Sequence, residues 1–408
     1  MILRDARQVG KTWLLCEWGK TSYRDCLYVN FEDTPALQTL FTANFDLARI
    51  LAALRIHGGI DIVPGETLII FDEIQSAERG LTALKYLYEK APEQHIVAAG
   101  SLLGMGLHSG ISFPVGKVDF MDLRPLSFNE FLRALGDEAL ADALSVRDWK
   151  LLGIFRDKLL EHLRTYYFVG GMPEAVAVFA ETRDAAQARH IQLRILDAYE
   201  ADFSKHAPRD IVPRIRMVWQ SIPAQMAREN KKFTYGVMRQ GARAKDFELA
   251  IQWLVDCGLL LKCSRVTQPA MPLIAYQDAS AFKLFLNDVG LLAALSRLPL
   301  QTLIAGDAMF TEFKGALTEQ YVMQQLRLRS DNVIGYWTND RSTAEVDFVV
   351  QRGEEIVPIE VKAGENLKSK SFKFFCEKFS PRTALRASLS DYHEESWMTN
   401  VPLYAVGT

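Results

Sequence analysis

Near its start the chain reads Asp5-Ala6-Arg7-Gln8-Val9-Gly10-Lys11-Thr12, in the frame G-x-x-x-x-G-K-[ST]. Few sequence features restrict a fold so tightly. The frame needs a strand before it, a helix that starts at its end, and a backbone curl between them whose N–H groups converge on one point. Such a strand–loop–helix unit in turn needs parallel neighbours that bury its strand on both faces. The loop suits β- and γ-phosphates, Lys11 neutralises phosphate oxygens, and the Thr12 hydroxyl holds a magnesium ion. The candidate nucleotide-binding residues are therefore Ala6, Arg7, Gln8, Val9, Gly10, Lys11 and Thr12. Asp5 stands where the frame has its first glycine. If that position needs a positive φ, Asp is among the few non-glycine residues that tolerate it. If its carboxylate faces the phosphates, it repels them. Both readings stay open on the sequence.

The expected neighbours are present. Glu66-Thr67-Leu68-Ile69-Ile70-Phe71 is a largely apolar run followed by Asp72 and Glu73, as in a central parallel strand that ends at a metal site. Asp72 is the candidate metal residue together with Thr12. Glu73 is the candidate catalytic acid that polarises the attacking water, with Lys11 as the catalytic cation. Residues 26–31 and 95–100 read as further buried strands and 117–123 as a fifth, with helices over 36–54 and 81–90. Ser101, at the end of one apolar run, stands where a polar sensor of the γ-phosphate belongs, although a turn serine is expected there as often. An arginine finger is not identifiable; Arg124, Arg156 and Arg164 qualify only by residue type.

A chain of 408 residues exceeds one hydrophobic core. The pattern divides it into a P-loop α/β domain (1–139), a helical lid or linker (140–205), a winged-helix-like domain (206–300) and a further α/β domain (301–408). The fold class is α/β: a P-loop NTPase parallel sheet, a helical lid, a winged helix and a C-terminal α/β domain. Net charge is −3, so any contact with nucleic acid must come from a local basic face. The five cysteines form no C-x-x-C pair, and no apolar run reaches bilayer length. A cytoplasmic protein that makes no membrane contact is expected. Only Met1 to Arg4 precede the loop, short for a strand, as expected of a chain that lacks a leading segment.

Two regions suggest further chemistry. Residues 201–250 carry ten Lys/Arg against five Asp/Glu, and Phe233 to Trp253 has the rhythm of a helix-turn-helix with a wing starting at Leu259. That arrangement fits DNA, with one helix in the major groove, or equally a module for protein contacts whose charges are solvated. Further on, Asp347 precedes Glu360-Val361-Lys362, whose outer residues share one face of a strand. Asp347 and Glu360 are candidates for one divalent metal, Lys362 for placing a water, and helical Glu319 for completing the shell of a phosphodiesterase site. A structural cluster that keeps the fold without cleavage is the other reading.

These residues together resemble the prokaryotic AAA-type ATPases that carry a winged helix and a C-terminal PD-(D/E)xK nuclease-like domain. The resemblance rests on Ala6-Arg7-Gln8-Val9-Gly10-Lys11-Thr12, Phe71-Asp72-Glu73-Ile74-Gln75, Gly170-Gly171-Met172-Pro173, Lys283-Leu284-Phe285-Leu286-Asn287-Asp288 and Ile359-Glu360-Val361-Lys362. It implies ATP and magnesium as cofactors and a nuclease-like fold at Glu319, Asp347, Glu360 and Lys362. The partners expected are ATP, DNA through the winged helix and C-terminal domain, and further copies of the chain in a homo-oligomer. The reading is an ATPase whose nucleotide state controls the winged-helix and nuclease-like module. Its rivals are a metal-dependent DNA nuclease regulated by ATP, and a non-enzymatic interaction protein with degenerate sites.

Overall fold

The computed structural model describes residues 1–42, 45–100, 116–228, 231–299, 311–339, 343–364 and 369–408. They form two compact units, Met1–Arg124 with Asp256–Gly258, and Pro125–Val255 with Leu259–Thr408.

The first unit holds β1 (Ile2–Arg4), α1 (Lys11–Ser22), β2 (Asp25–Asn30), α2 (Leu47–Gly58), β3 (Thr67–Asp72), α3 (Gly80–Lys90), β4 (His95–Ala99) and β5 (Phe120–Asp122). Its five strands run in the order β2-β3-β4-β1-β5, and every pairing is parallel. Alternation along β3 explains the layers. Ile69 and Phe71 join one apolar cluster with Val29, Phe31 and Ile74, while Leu68 and Ile70 join another with Leu3, Leu15 and Val97. All six residues of β3 are buried, as a central strand covered on both faces requires. The helix expected over 36–54 is broken. A 3₁₀ turn covers Pro35–Leu37, and α2 starts afresh at Leu47 because the Asp46 carboxylate accepts from the N–H groups of Ala48 and Arg49.

The second unit opens with helices α4 (Phe128–Ala134), α5 (Glu138–Ser145), α6 (Trp149–Ile154), α7 (Arg156–Val169), α8 (Pro173–Thr182), α9 (Ala185–His206), α10 (Val212–Met226) and α11 (Ala244–Asp256). After them come β6 (Leu260–Val266), β7 (Gln277–Leu286), α12 (Val289–Leu295), α13 (Thr311–Leu326), β8 (Val333–Thr338), β9 (Glu345–Arg352), β10 (Glu355–Val361), α14 (Lys370–Phe379), β11 (Leu385–Ser388), β12 (His393–Glu394) and β13 (Thr399–Pro402). The strand expected over 402–406 ends early. Leu403–Ala405 is a 3₁₀ turn, and pairing stops at Pro402.

All eight strands of this unit belong to one mixed sheet, ordered β12-β13-β11-β10-β9-β8-β6-β7. The hairpin expected as a separate wing is therefore the sheet's edge. β6 pairs antiparallel with β7 and parallel with β8 through Ser264, Arg265 and Val266. Non-local pairing ties residues on both sides of 300 into one sheet. No helix among the described residues is long and apolar enough to cross a membrane.

Candidate nucleotide-binding site

The loop begins at the end of β1 and finishes where α1 starts. Ala6 and Val9 are buried and anchor the curl in the core, while Gln8 and Thr12 are exposed. Three of its residues have positive φ: Asp5 at 129°, Gln8 at 64° and Gly10 at 89°. Reversals of this kind turn successive N–H groups toward one side, as an anion cradle requires. Gly10 precedes α1 in the left-handed conformation, which glycine adopts without steric cost. The first turn of α1 has no acidic residue, so its positive end is not neutralised by the helix itself.

Asp5 folds back on the peptide that follows it. Its φ is positive, and its Oδ1 accepts from the Ala6 N–H at 2.7 Å. Its Oδ2 lies 3.9 Å from the Arg124 guanidinium, which also meets Asp122 at 3.2 Å. Arg124, considered for a finger by type alone, is thus engaged by two carboxylates beside the loop. Arg7 faces Glu32 at 3.7 Å.

Lys11 reaches back across the curl. Its Nζ donates to the carbonyl oxygens of Asp5 at 2.9 Å and Ala6 at 2.5 Å. Burial pulls its pKa down from 10.5 to about 8, although the Glu73, Asp5 and Asp72 carboxylates oppose the shift. The ammonium is therefore poorly solvated, and a fixed anion would stabilise it.

The end of β3 completes the cluster. Thr12 Oγ1 donates to Asp72 Oδ2 at 2.6 Å, and Asp72 Oδ1 accepts from the Glu73 N–H at 3.0 Å. Glu73 is left-handed at φ 49°, a conformation that costs a glutamate about 1–2 kcal/mol. The Gln75 amide donates to its carboxylate. Thr12 and Asp72 form a pair of hard oxygen donors side by side, a set that fits magnesium with water and phosphate supplying the rest.

One participant was missed by the sequence reading. The Tyr28 hydroxyl donates to Asp72 Oδ2 at 2.9 Å, the same oxygen that Thr12 uses. Burial, then the Asp72 charge, raises the phenol well above its ordinary value. The signal was a tyrosine in an apolar strand that lies next to the acidic one, with Asn30 opposite Asp72. Ser101, the expected sensor, lies outside the described residues. β4, which it follows, does run between β1 and β3.

The C-terminal candidates belong to the second unit. Glu319 comes from α13, Asp347 from β9 and Glu360 from β10, with Lys362 one residue beyond that strand. Lysines occupy two of the three acids, Glu319 and Glu360. Lys231 and Lys283 take the two oxygens of Glu319, and Lys362 and Ser369 both reach Glu360 Oε1, at 2.8 and 2.7 Å. Asp347 accepts from the Val361 N–H at 2.8 Å. Among the described residues, no group of three or more His, Cys, Asp or Glu is arranged to hold a metal ion. The set does not fit the divalent site expected from the sequence.

Comparison with known proteins agrees with the N-terminal geometry. Residues 1–132 match the family model of an AAA domain. Residues 160–302 and 314–406 match two domains of unknown function, DUF8612 and DUF4143. Among solved structures the chain is similar to the Walker-type ATPase paby2304 of Pyrococcus abyssi, at 14% identity over 72% of this chain and 90% of that one, with a TM-score of 0.43. It is also similar to the Orc1 protein of Aeropyrum pernix, solved in complex with DNA, at 12% identity over 73% and 86%, with a TM-score of 0.26. No curated protein matches. Residues 1–132, which match the AAA domain model, include the parallel sheet, the loop at 5–12 and the adjacent acids Asp72 and Glu73.

Proposed function

We propose that the chain binds ATP at residues 5–12 and hydrolyses it with magnesium, using Lys11, Thr12, Asp72 and Glu73. The observation that carries this reading is the junction of loop and acidic strand: Thr12 and Asp72 in contact, with Lys11 buried beside them.

The residues divide the work. Loop N–H groups and the start of α1 bind the phosphate tail. Lys11 exchanges two neutral carbonyls for charged phosphate oxygens, which a buried ammonium favours. Thr12 and Asp72 hold magnesium, which when bound offsets charge on the phosphate oxygens. Glu73 orients the attacking water and takes its proton at the carboxylate, and the Gln75 amide fixes the direction of that carboxylate.

The second unit is the part on which turnover acts, and DNA is the partner its charges fit. Lys205, Arg209, Arg214, Arg216, Arg228, Lys232, Arg239, Arg243 and Lys245 are all exposed. Lys231 does not belong to that face, because Glu319 engages it. ATP turnover of the full chain, with and without duplex DNA, tests both parts. Lys11→Ala should lower turnover by about a hundredfold or more, and DNA should change the native rate. Unchanged turnover in Lys11→Ala would refute the site.

A further inference from the structure

The carboxylates of the second unit gather around a lysine. Lys283, on β7, is 1% exposed at its side chain. Its Nζ lies 2.5 Å from Glu345 Oε1 and 3.5 Å from Glu319 Oε2, and 5.0 Å from the centre of the Tyr336 ring. Glu319 receives Lys231 on its other oxygen, and Glu360 receives Lys362. A divalent ion among acids needs their oxygens unshared and close to one centre. Here both oxygens of Glu319, and one each of Glu345 and Glu360, already face ammonium groups.

We propose that the Lys283 ammonium is the resident cation of this cluster and fills the role a divalent metal would take, so that the C-terminal acids form a metal-independent ionic core.

The charges agree. Burial opposes ionisation of Glu319, but Lys283 and Lys231 prevail and hold its pKa below the usual carboxylate value. Burial, then the Glu319 and Glu360 charges, pushes Asp347 above the usual carboxylate range. Three lysines (Lys231, Lys283, Lys362) thus stand against three acids (Glu319, Glu345, Glu360). Lys283 and Glu319 are both buried, so removing either partner leaves an uncompensated buried charge. Lys283 is held by more than charge: β7 places it opposite Cys263 of β6, and the aromatic face of Tyr336 gives it a cation–π contact.

The test is calorimetric titration of the nucleotide-free full chain with Mn²⁺, for the native protein, Asp347→Asn and Lys283→Ala. Heat that disappears in Asp347→Asn belongs to this cluster rather than to Asp72. The native chain should show no Asp347-dependent uptake at millimolar Mn²⁺. Lys283→Ala should gain a site at least about tenfold tighter, and Mn²⁺ should raise its melting temperature while leaving the native one unchanged. If Lys283→Ala does not accumulate as folded protein, Lys231→Ala, which uncovers the other oxygen of Glu319, carries the same titration. Asp347-dependent Mn²⁺ uptake by the native chain overturns the proposal, as does a folded lysine variant that gains none.

Discussion

The carboxylate of Asp5 lies 2.7 Å from the N–H of Ala6, folded back on the peptide that follows it. The residue that departs from the phosphate-loop frame therefore caps the loop's own backbone while holding a positive φ. Asp5→Gly loses the cap but relieves the backbone, so its stability should stay within about 1 kcal/mol of native. Asp5→Ala loses the cap and keeps the strain, at a cost of roughly 1–3 kcal/mol. Nucleotide affinity in Asp5→Gly should change less than about tenfold, because the native carboxylate is turned to Ala6 and Arg124. Urea unfolding and calorimetry of the two variants measure these differences.

Lys11 gives the site a pH dependence. Its pKa of about 8 in the free protein means that it is an ammonium below that pH and an amine above it. Phosphate favours the ammonium, so the bound value must be higher, and binding above pH 8 takes up a proton. Affinity should hold level below pH 8 and then fall toward tenfold per unit as pH rises. Titrations in buffers of different ionisation enthalpy would show uptake approaching one proton near pH 9. For folding the sign is opposite. The folded chain binds fewer protons than the unfolded chain between about 8 and 10.5, so this group's contribution to stability rises with pH across that window.

Tyr28 and Thr12 share one oxygen of Asp72, so Tyr28→Phe should disturb the metal more than the nucleotide. Loss of an outer hydrogen bond to a metal-holding carboxylate typically weakens the metal by about tenfold or more. The magnesium concentration that half-saturates turnover should rise by about that factor, with metal-free nucleotide binding little altered. A magnesium titration of turnover separates the two.

In the second unit, Gly170 has φ 72° and ψ −162°, a conformation nearly confined to glycine. A Cβ there would sit 2.1 Å from Asp288 Oδ1, and Asp288 is committed to the N–H groups of Gly171 and Leu291 and to Gln324. Gly170→Ala combines backbone strain with overpacking and should cost roughly 4 kcal/mol. A drop in melting temperature of only a degree or two would contradict that account.

What could be read from residues alone was local. The apolar run that ends at Asp72 and Glu73 announced a central strand, and β3 is that strand, buried along its length. Gly10, Lys11 and Thr12 likewise announced a helix start. Partners distant in sequence were not legible. Tyr28 meets Asp72 across 44 residues, and Lys231 meets Glu319 across 88. The Asp347, Glu360 and Lys362 pattern was visible, but Lys231 and Lys283, which engage Glu319, come from other elements, so the acids read as a metal shell. The hairpin after Gly258 was visible as well, yet its parallel pairing with β8 has no sequence signal short of the whole fold. The break at Asp46 could have been seen, since a capping residue stands before a new apolar period.

The most direct test compares magnesium-ATP binding and turnover in the native chain and in Glu73→Gln. Glu73 should serve the chemical step alone. The account predicts that Glu73→Gln binds magnesium-ATP within a few-fold of native while its turnover falls by about a hundredfold or more. A native chain that binds no magnesium-ATP, or a Glu73→Gln variant that turns over at the native rate, would contradict it.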